Sequence, residues 1–175
     1  RSAEIEAFFD EDIEYAHERK LEILEREAKD SGLYKKKLSH GQVFVGPTAE
    51  LYDAQNGFGW LYDDDALLYR GEFRDGLFEG KGELFDGTLT QNRIFLGDFR
   101  GGKPNGCGVL YQAGKPIFRG QVLEGAKHGL GEELVDGKMV YRGYYYNNNR
   151  DGFGVIYHKN GRRAFMGEFK SGMKH

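Results

Sequence analysis

Six aromatic-x-Gly triplets recur along the chain at an almost constant step: Phe44-Val-Gly46, Tyr69-Arg-Gly71, Phe95-Leu-Gly97, Phe118-Arg-Gly120, Tyr141-Arg-Gly143 and Phe165-Met-Gly167. Each of the first five is followed by a Gly-x-Gly pair, at Gly57/Gly59, Gly80/Gly82, Gly106/Gly108, Gly129/Gly131 and Gly152/Gly154. From the second copy to the fifth, the triplet glycine lies nine residues before its pair every time. A period of about 23 residues settles the architecture before local propensity does, because each unit buries its apolar side only by stacking on its neighbours.

Within one copy the spacing reads as two strands. Tyr69, Gly71 and Phe73 share one face of a strand while Arg70, Glu72 and Arg74 point the other way, and Gly80, Gly82 and Leu84 share a face of the next strand. Glycine inside a strand is normally a weakness. Here the missing side chain makes room for a neighbouring ring to lie flat on the backbone, so glycines and aromatics form one feature. A six-residue connection such as Arg74 to Glu79 is expected between the strands, with Gly76, Gly102 and Gly125 at its third position. The fifth copy has Asn148 there, which points to a left-handed turn residue. Between units, Asp86-Gly87, Asp136-Gly137 and Asn160-Gly161 signal further hairpins. The array is expected to be mainly β, an elongated twisted antiparallel meander of roughly 11 strands.

The fragment Tyr69-Arg-Gly-Glu-Phe-Arg-Asp-Gly-Leu-Phe-Glu-Gly-Lys-Gly82 resembles the MORN repeat at every glycine, and the resemblance covers about five and a half repeats from Val43 to His175. It implies β-hairpin repeats and, in function, a scaffold that binds a protein partner, as in cytoskeletal and ciliary assemblies. It also implies two other roles: a membrane-surface adaptor for acidic phospholipids, and the accessory array of a larger enzyme. The expected divisions are residues 1–32 as an acidic amphipathic helix, 33–68 as a lead-in with a degenerate first repeat that carries Pro47, and 69–175 as regular repeats with the last cut short.

Residues 3–30 contain no glycine or proline and place Ile5, Phe9, Ala16 and Ile23 on one stripe, with Ile13 and Leu24 at its flank. A single long helix is expected, capped by Ser2 and stopped at Gly32. It either packs on its own sheet or binds a partner. Charge separates it from the array: residues 1–30 carry eleven acidic and five basic side chains, whereas the whole chain has a net charge of only −3. That balance argues against a protein that coats nucleic acid.

Several chemistries fail on the residues. The Gly-x-Gly pairs lack the third glycine of a dinucleotide fingerprint, since that position is Tyr62, Phe85, Tyr111, Leu134 or Tyr157. The five histidines show no ligand spacing, and Cys107 is the only cysteine, so no metal, cofactor, internal disulfide or catalytic residue is assigned. No apolar run is long enough to cross a bilayer. The expected product is a soluble, non-enzymatic, cytoplasmic protein, with cytoskeletal or ciliary association implied by the resemblance and an organellar matrix left open. Its partner-binding groove is expected along Tyr69, Phe73, Phe95, Phe99, Phe118, Tyr141, Tyr145, Phe165 and Phe169, holding a partner's helix or extended segment or the chain's own helix. Anionic lipid would be met by Lys35, Lys36, Lys37, Lys159, Arg162 and Arg163.

Overall fold

In a computed structural model that describes residues 2–47 and 55–175, two helical segments precede one open antiparallel sheet. The helices are α1 (Ser2–Phe8) and α2 (Ile13–Asp30). The strands are β1 (Tyr34–Lys37), β2 (Gln42–Gly46), β3 (Gly57–Asp63), β4 (Ala66–Arg74), β5 (Leu77–Phe85), β6 (Arg93–Arg100), β7 (Lys103–Gln112), β8 (Lys115–Leu123), β9 (Ala126–Val135), β10 (Lys138–Tyr146), β11 (Asn149–Tyr157), β12 (Arg163–Lys170) and β13 (Met173–Lys174). Spatial order follows chain order throughout, so the sheet is the expected meander. It has 13 strands where roughly 11 are expected, because β1 and the two-residue β13 extend its ends. The capping side chain of Ser2 and the first-unit loop after Pro47 lie outside the described residues.

The glycine pairs meet each other across the ladder. Gly71 stands opposite Gly59 and Gly82, and Gly97 opposite Gly82 and Gly108, so a seam of bare backbone runs along one face. The rings lie on that seam. A Cβ added at Gly59, Gly82, Gly108, Gly131 or Gly154 would meet the ring of Phe44, Tyr69, Phe95, Phe118 or Tyr141 at less than 3.0 Å. Where the ring is a tyrosine its hydroxyl donates back to the chain, Tyr69 to the Glu72 carbonyl at 2.8 Å and Tyr141 to the Tyr144 carbonyl at 2.9 Å. Rings of neighbouring units then meet edge to face, as Tyr69 does Phe99 and Tyr141 does Phe169.

The turns are tighter than the spacing suggests. Strands β4 and β5 run to within two residues of each other, joined by Asp75 at φ 52° and Gly76 at φ 81°, which is a type I′ hairpin. Asn147–Asn148 makes the same turn, with Asn148 at φ 72°, so the left-handed assignment holds. The expected six-residue connection is replaced by this turn plus a bulge. Gly80, Gly106, Gly129 and Gly152 adopt positive φ there, and in the first three of these a side chain of the preceding strand accepts from the amide that follows. Glu72 accepts from Lys81 N, Asp98 from Cys107 N and Gln121 from Leu130 N.

The N-terminal helical segment is interrupted between Phe8 and Ile13. Asp12 caps α2, its carboxylate accepting from Tyr15 N at 3.0 Å. Ser31 closes α2, and Gly32 at φ 86° donates to the Lys29 carbonyl, as expected of a stop.

Gly108→Ala should cost about 1–3 kcal/mol, since the new methyl overlaps the Phe95 ring and the Leu96 carbonyl. Gly101→Asn should stay within about 0.5 kcal/mol, because nothing lies near a Cβ there and Asp75, Glu124 and Asn147 hold the same left-handed position. Denaturant melts of the two variants decide, and equal effects would remove the ring-on-glycine account.

Candidate functional site

The two faces of the sheet are built differently. On one face Phe44, Tyr69, Phe73, Phe95, Phe99, Phe118, Tyr141, Tyr145 and Phe169 form a continuous buried cluster. This brings the expected groove residues together, but Tyr69, Phe95, Phe118 and Tyr141 are 0–1 % exposed and only Phe165 is half-buried. The rings are therefore the floor of that face, and their surface is spent on glycine backbone and on one another. What faces outward is a cover row laid over them: Phe78 stacks on Tyr69 at 3.8 Å, Pro104 stands beside Phe99, and Lys127, Arg150 and Lys174 lie over Phe118, Tyr141 and Phe165.

The chain's own helix does not occupy this ring face. Helix α2 lies across β3–β8 on the opposite face, where Ile13, Leu21 and Ala28 pack with Phe58, Trp60, Leu67, Phe85, Leu96, Val109 and Tyr111. Packing on its own sheet is one of the two expected fates of the helix, but the covered residues are not Tyr69, Phe73 and Phe99. The reason lies in the rings. Since they cover most of their own face, the larger apolar surface left to bury is on the other face, and an antiparallel sheet can be stable with a second layer on that side alone. The helical stripe differs as well: Ile5, Ile13 and Leu21 are buried as Phe9 and Ala16 are only partly, while Ile23 is 39 % exposed.

Charge completes the contact. Arg70 of β4 pairs with Glu25 of α2, and Arg93 of β6 pairs with Glu18 at 2.6 Å. Glu14 accepts from Tyr111 of β7, Glu4 of α1 accepts from Tyr144 of β10, and Phe9 sits under the Arg142 guanidinium at 4.9 Å. Beneath this layer two carboxylates are buried in the sheet, each held between two arginines: Glu83 by Arg70 and Arg93, and Glu132 by Arg119 and Arg142. Burial alone would raise the Glu25 carboxyl, but Lys29 and Arg70 hold it below the usual carboxylate range. These carboxylates look like solvated strand positions in the sequence and give no sign of burial.

His17 is the other residue that apolar periodicity overlooks. It is 7 % exposed on the buried side of α2, and its Nδ1 has no hydrogen-bond partner. Burial, then the Lys81 ammonium that pairs with Asp98 on the sheet, push it down to about 4, with Lys20 adding to the effect and Asp98 opposing it. Cys107 is half-buried on the same face, where burial and the Asp98 charge push its thiol up to about 11, a filler rather than a nucleophile.

The expected lipid contacts do not form one patch. Lys35, Lys36 and Lys37 are exposed on β1 at the first edge of the sheet. Lys159, Arg162 and Arg163 are exposed around the turn before β12, at the far end of the strand order, and Arg163 reaches Glu6 of α1 at 3.5 Å. Among the described residues no cluster suits a metal ion, and no helix is long and apolar enough to cross a membrane.

A sheet of ring-on-glycine hairpins, open at both ends and backed by one helical layer, is built as a repeat array. The MORN repeat matches residues 69–88, 95–114, 118–139, 141–162 and 165–175, more than half of the chain, and the chain belongs to the MORN-repeat family. Such repeats are non-catalytic modules that bind proteins or membranes. The match begins at Tyr69, yet Phe44 lies over Gly46 and Gly59 as the later rings do over theirs, so the first unit keeps the geometry of the repeat. Comparison with curated proteins found no match.

The His17 environment fixes a pH dependence. Its folded value lies below the unfolded value of 6.5, so the unfolded chain binds more protons between them. Stability from this residue is full above pH 6.5 and is lost as pH falls toward about 4, by on the order of 3 kcal/mol. In denaturant melts at pH 7 and pH 4.5 the parent chain should therefore lose more stability than His17→Met. Parallel losses in the two proteins would contradict the assignment.

Proposed function

We propose that this chain is a non-catalytic protein-binding scaffold whose helix-bearing face grips an acidic amphipathic helix, its own in the structure and a partner's helix of the same pattern in assembly. The observation that carries this reading is a match of two periods. Glu18 and Glu25 are one heptad apart, a rise of about 10.5 Å along a helix. Their partners Arg93 and Arg70 stand on β6 and β4, two strands apart, a step of about 9.6 Å. A helix laid across the strands therefore presents one carboxylate to every second strand while its apolar side stays on the Trp60–Tyr111 strip. Glu4 and Glu11 keep the seven-residue spacing in the sequence, but the helical rise holds only within α2, and Glu4 of α1 accepts from Tyr144. The partner class is thus defined by spacing and sign of charge.

A second reading, attachment to an anionic membrane, draws on the exposed lysines of β1, each worth about 1 kcal/mol near such a surface. The acidic helix opposes it.

The test is complementation. A labelled peptide of residues 2–30 added to an array of residues 31–175 should bind, and Glu18→Gln with Glu25→Gln in the peptide, which leaves Arg70 and Arg93 on the buried Glu83 carboxylate, should weaken it by about tenfold or more. Reversing Glu18 and Glu25 to arginine in the peptide should weaken it further. If the array alone does not fold, hydrogen exchange of the α2 amides in the intact chain gives the same answer, with protection falling in Glu18→Gln with Glu25→Gln. Binding or protection indifferent to these charges would refute the reading.

A further inference from the structure

The ring face carries its own periodic row of charge, and no helix covers it. In the second and third repeats the side chains over the rings are apolar, Phe78 and Pro104. In the last three they are cationic: Lys127 on β9 lies 5.2 Å from the Phe118 ring centroid, Arg150 on β11 lies 4.4 Å from that of Tyr141, and Lys174 on β13 lies 4.7 Å from that of Phe165. Each cation is two strands from the next, the step at which Arg70 and Arg93 receive Glu25 and Glu18 on the other face. Arg150 is engaged by Glu133 at 2.9 Å, and Glu133 also accepts from the Tyr145 hydroxyl. Lys127 also lies in the field of Glu133, while Lys174 stands exposed on the edge strand β13. Beside the row lie the half-buried apolar side chains Ile117, Ile156 and Phe165, which pack on the ring cluster.

We propose that this row is a second docking site, on the opposite face from the chain's own helix, for an acidic amphipathic helix of a partner protein. Charge complementarity sets the sign. Spacing sets the conformation: side chains on one face of an extended strand recur about every 6.6 Å and miss a step of about 9.6 Å, whereas carboxylates at i, i+7 and i+14 of a helix meet it. Apolar side chains one helical stripe away would cover Ile117, Ile156 and Phe165. The inference shares its period argument with the proposed function, but not its binding face, so the two fail separately. A scaffold built this way holds one helix in cis and a second in trans, with the single-layer sheet between them.

The experiment uses the intact chain and a synthetic helical peptide with glutamates at i, i+7 and i+14 beside a leucine stripe, followed by fluorescence anisotropy and circular dichroism. Saturable binding with a gain of peptide helicity is expected. Lys127→Glu with Lys174→Glu should weaken binding by about tenfold, and Lys127→Gln with Lys174→Gln, which keeps the side-chain stems over the rings, should weaken it less. Reversal of Lys35 and Lys37 should leave it unchanged. A peptide with its glutamates moved to i, i+5 and i+10 should bind about tenfold more weakly. Four results would overturn the proposal: no binding; binding unaffected by the Lys127 and Lys174 changes, which assigns the peptide to another surface; attachment to phosphatidylserine vesicles that needs Lys127 and Lys174 while the peptide does not bind; and self-association of the intact chain that disappears in the double reversal without peptide binding.

Discussion

An aromatic ring lying on bare glycine backbone is the contact on which the rest of this protein depends. It removes a side chain from two adjacent strands and replaces both with one ring, so that each hairpin is fastened to itself and pinned in register. Tyr69 spans Gly71 and Gly82, and Tyr141 spans Gly143 and Gly154. The closed face needs no second layer. The opposite face, with Trp60, Leu96 and Val109, has the larger apolar area left to cover, and burying one leucine such as Leu21 there stabilises by roughly 1.5–3 kcal/mol. The single helical layer follows from the rings.

The same asymmetry explains which parts of the structure could be read from the sequence. Ring and glycine positions recur in register from the second copy to the fifth, so the meander, its ring face and the left-handed Asn148 are all visible in the spacing. The helix face has no such regularity. Its central positions are Trp60, Glu83, Val109, Glu132 and Val155, an alternation of apolar and acidic residues that resembles a solvated strand until Arg70, Arg93, Arg119 and Arg142 are seen to close over the carboxylates. One signal was present: Tyr62, Phe85 and Tyr111 occupy the third position after each glycine pair, and all three face the helix. The helical stripe is obscured for a related reason. His17 takes a core position in the field of the Lys81–Asp98 pair, and polar residues do not register in an apolar periodicity. The interruption before Asp12 is local chemistry, with the Asp10–Asp12 acidic run better suited to capping the following helix than to continuing the preceding one.

The proposed function rests on two incommensurate periods that nearly agree. A helix advances one heptad while the sheet advances two strands, and the mismatch of about 1 Å per heptad is small enough for flexible Arg and Glu side chains to absorb. Recognition on such a surface depends on the period of the charges as well as on their sign. A sheet one strand thick exposes the same step on both faces, which is why the arginines gripping the chain's own helix and the cations Lys127, Arg150 and Lys174 over the rings have the same spacing.

The central claim is that the rings close one face and leave the other for the helix. Nuclear Overhauser contacts of the Leu21 methyl groups test it most directly. The structure predicts contacts to the helix-face cluster of Trp60, Leu67, Leu96 and Val109, with none to the rings of Tyr69, Phe73 or Phe99. Contacts from Leu21 to those rings would place the helix on the face that the glycines are held to have closed, and would contradict the account.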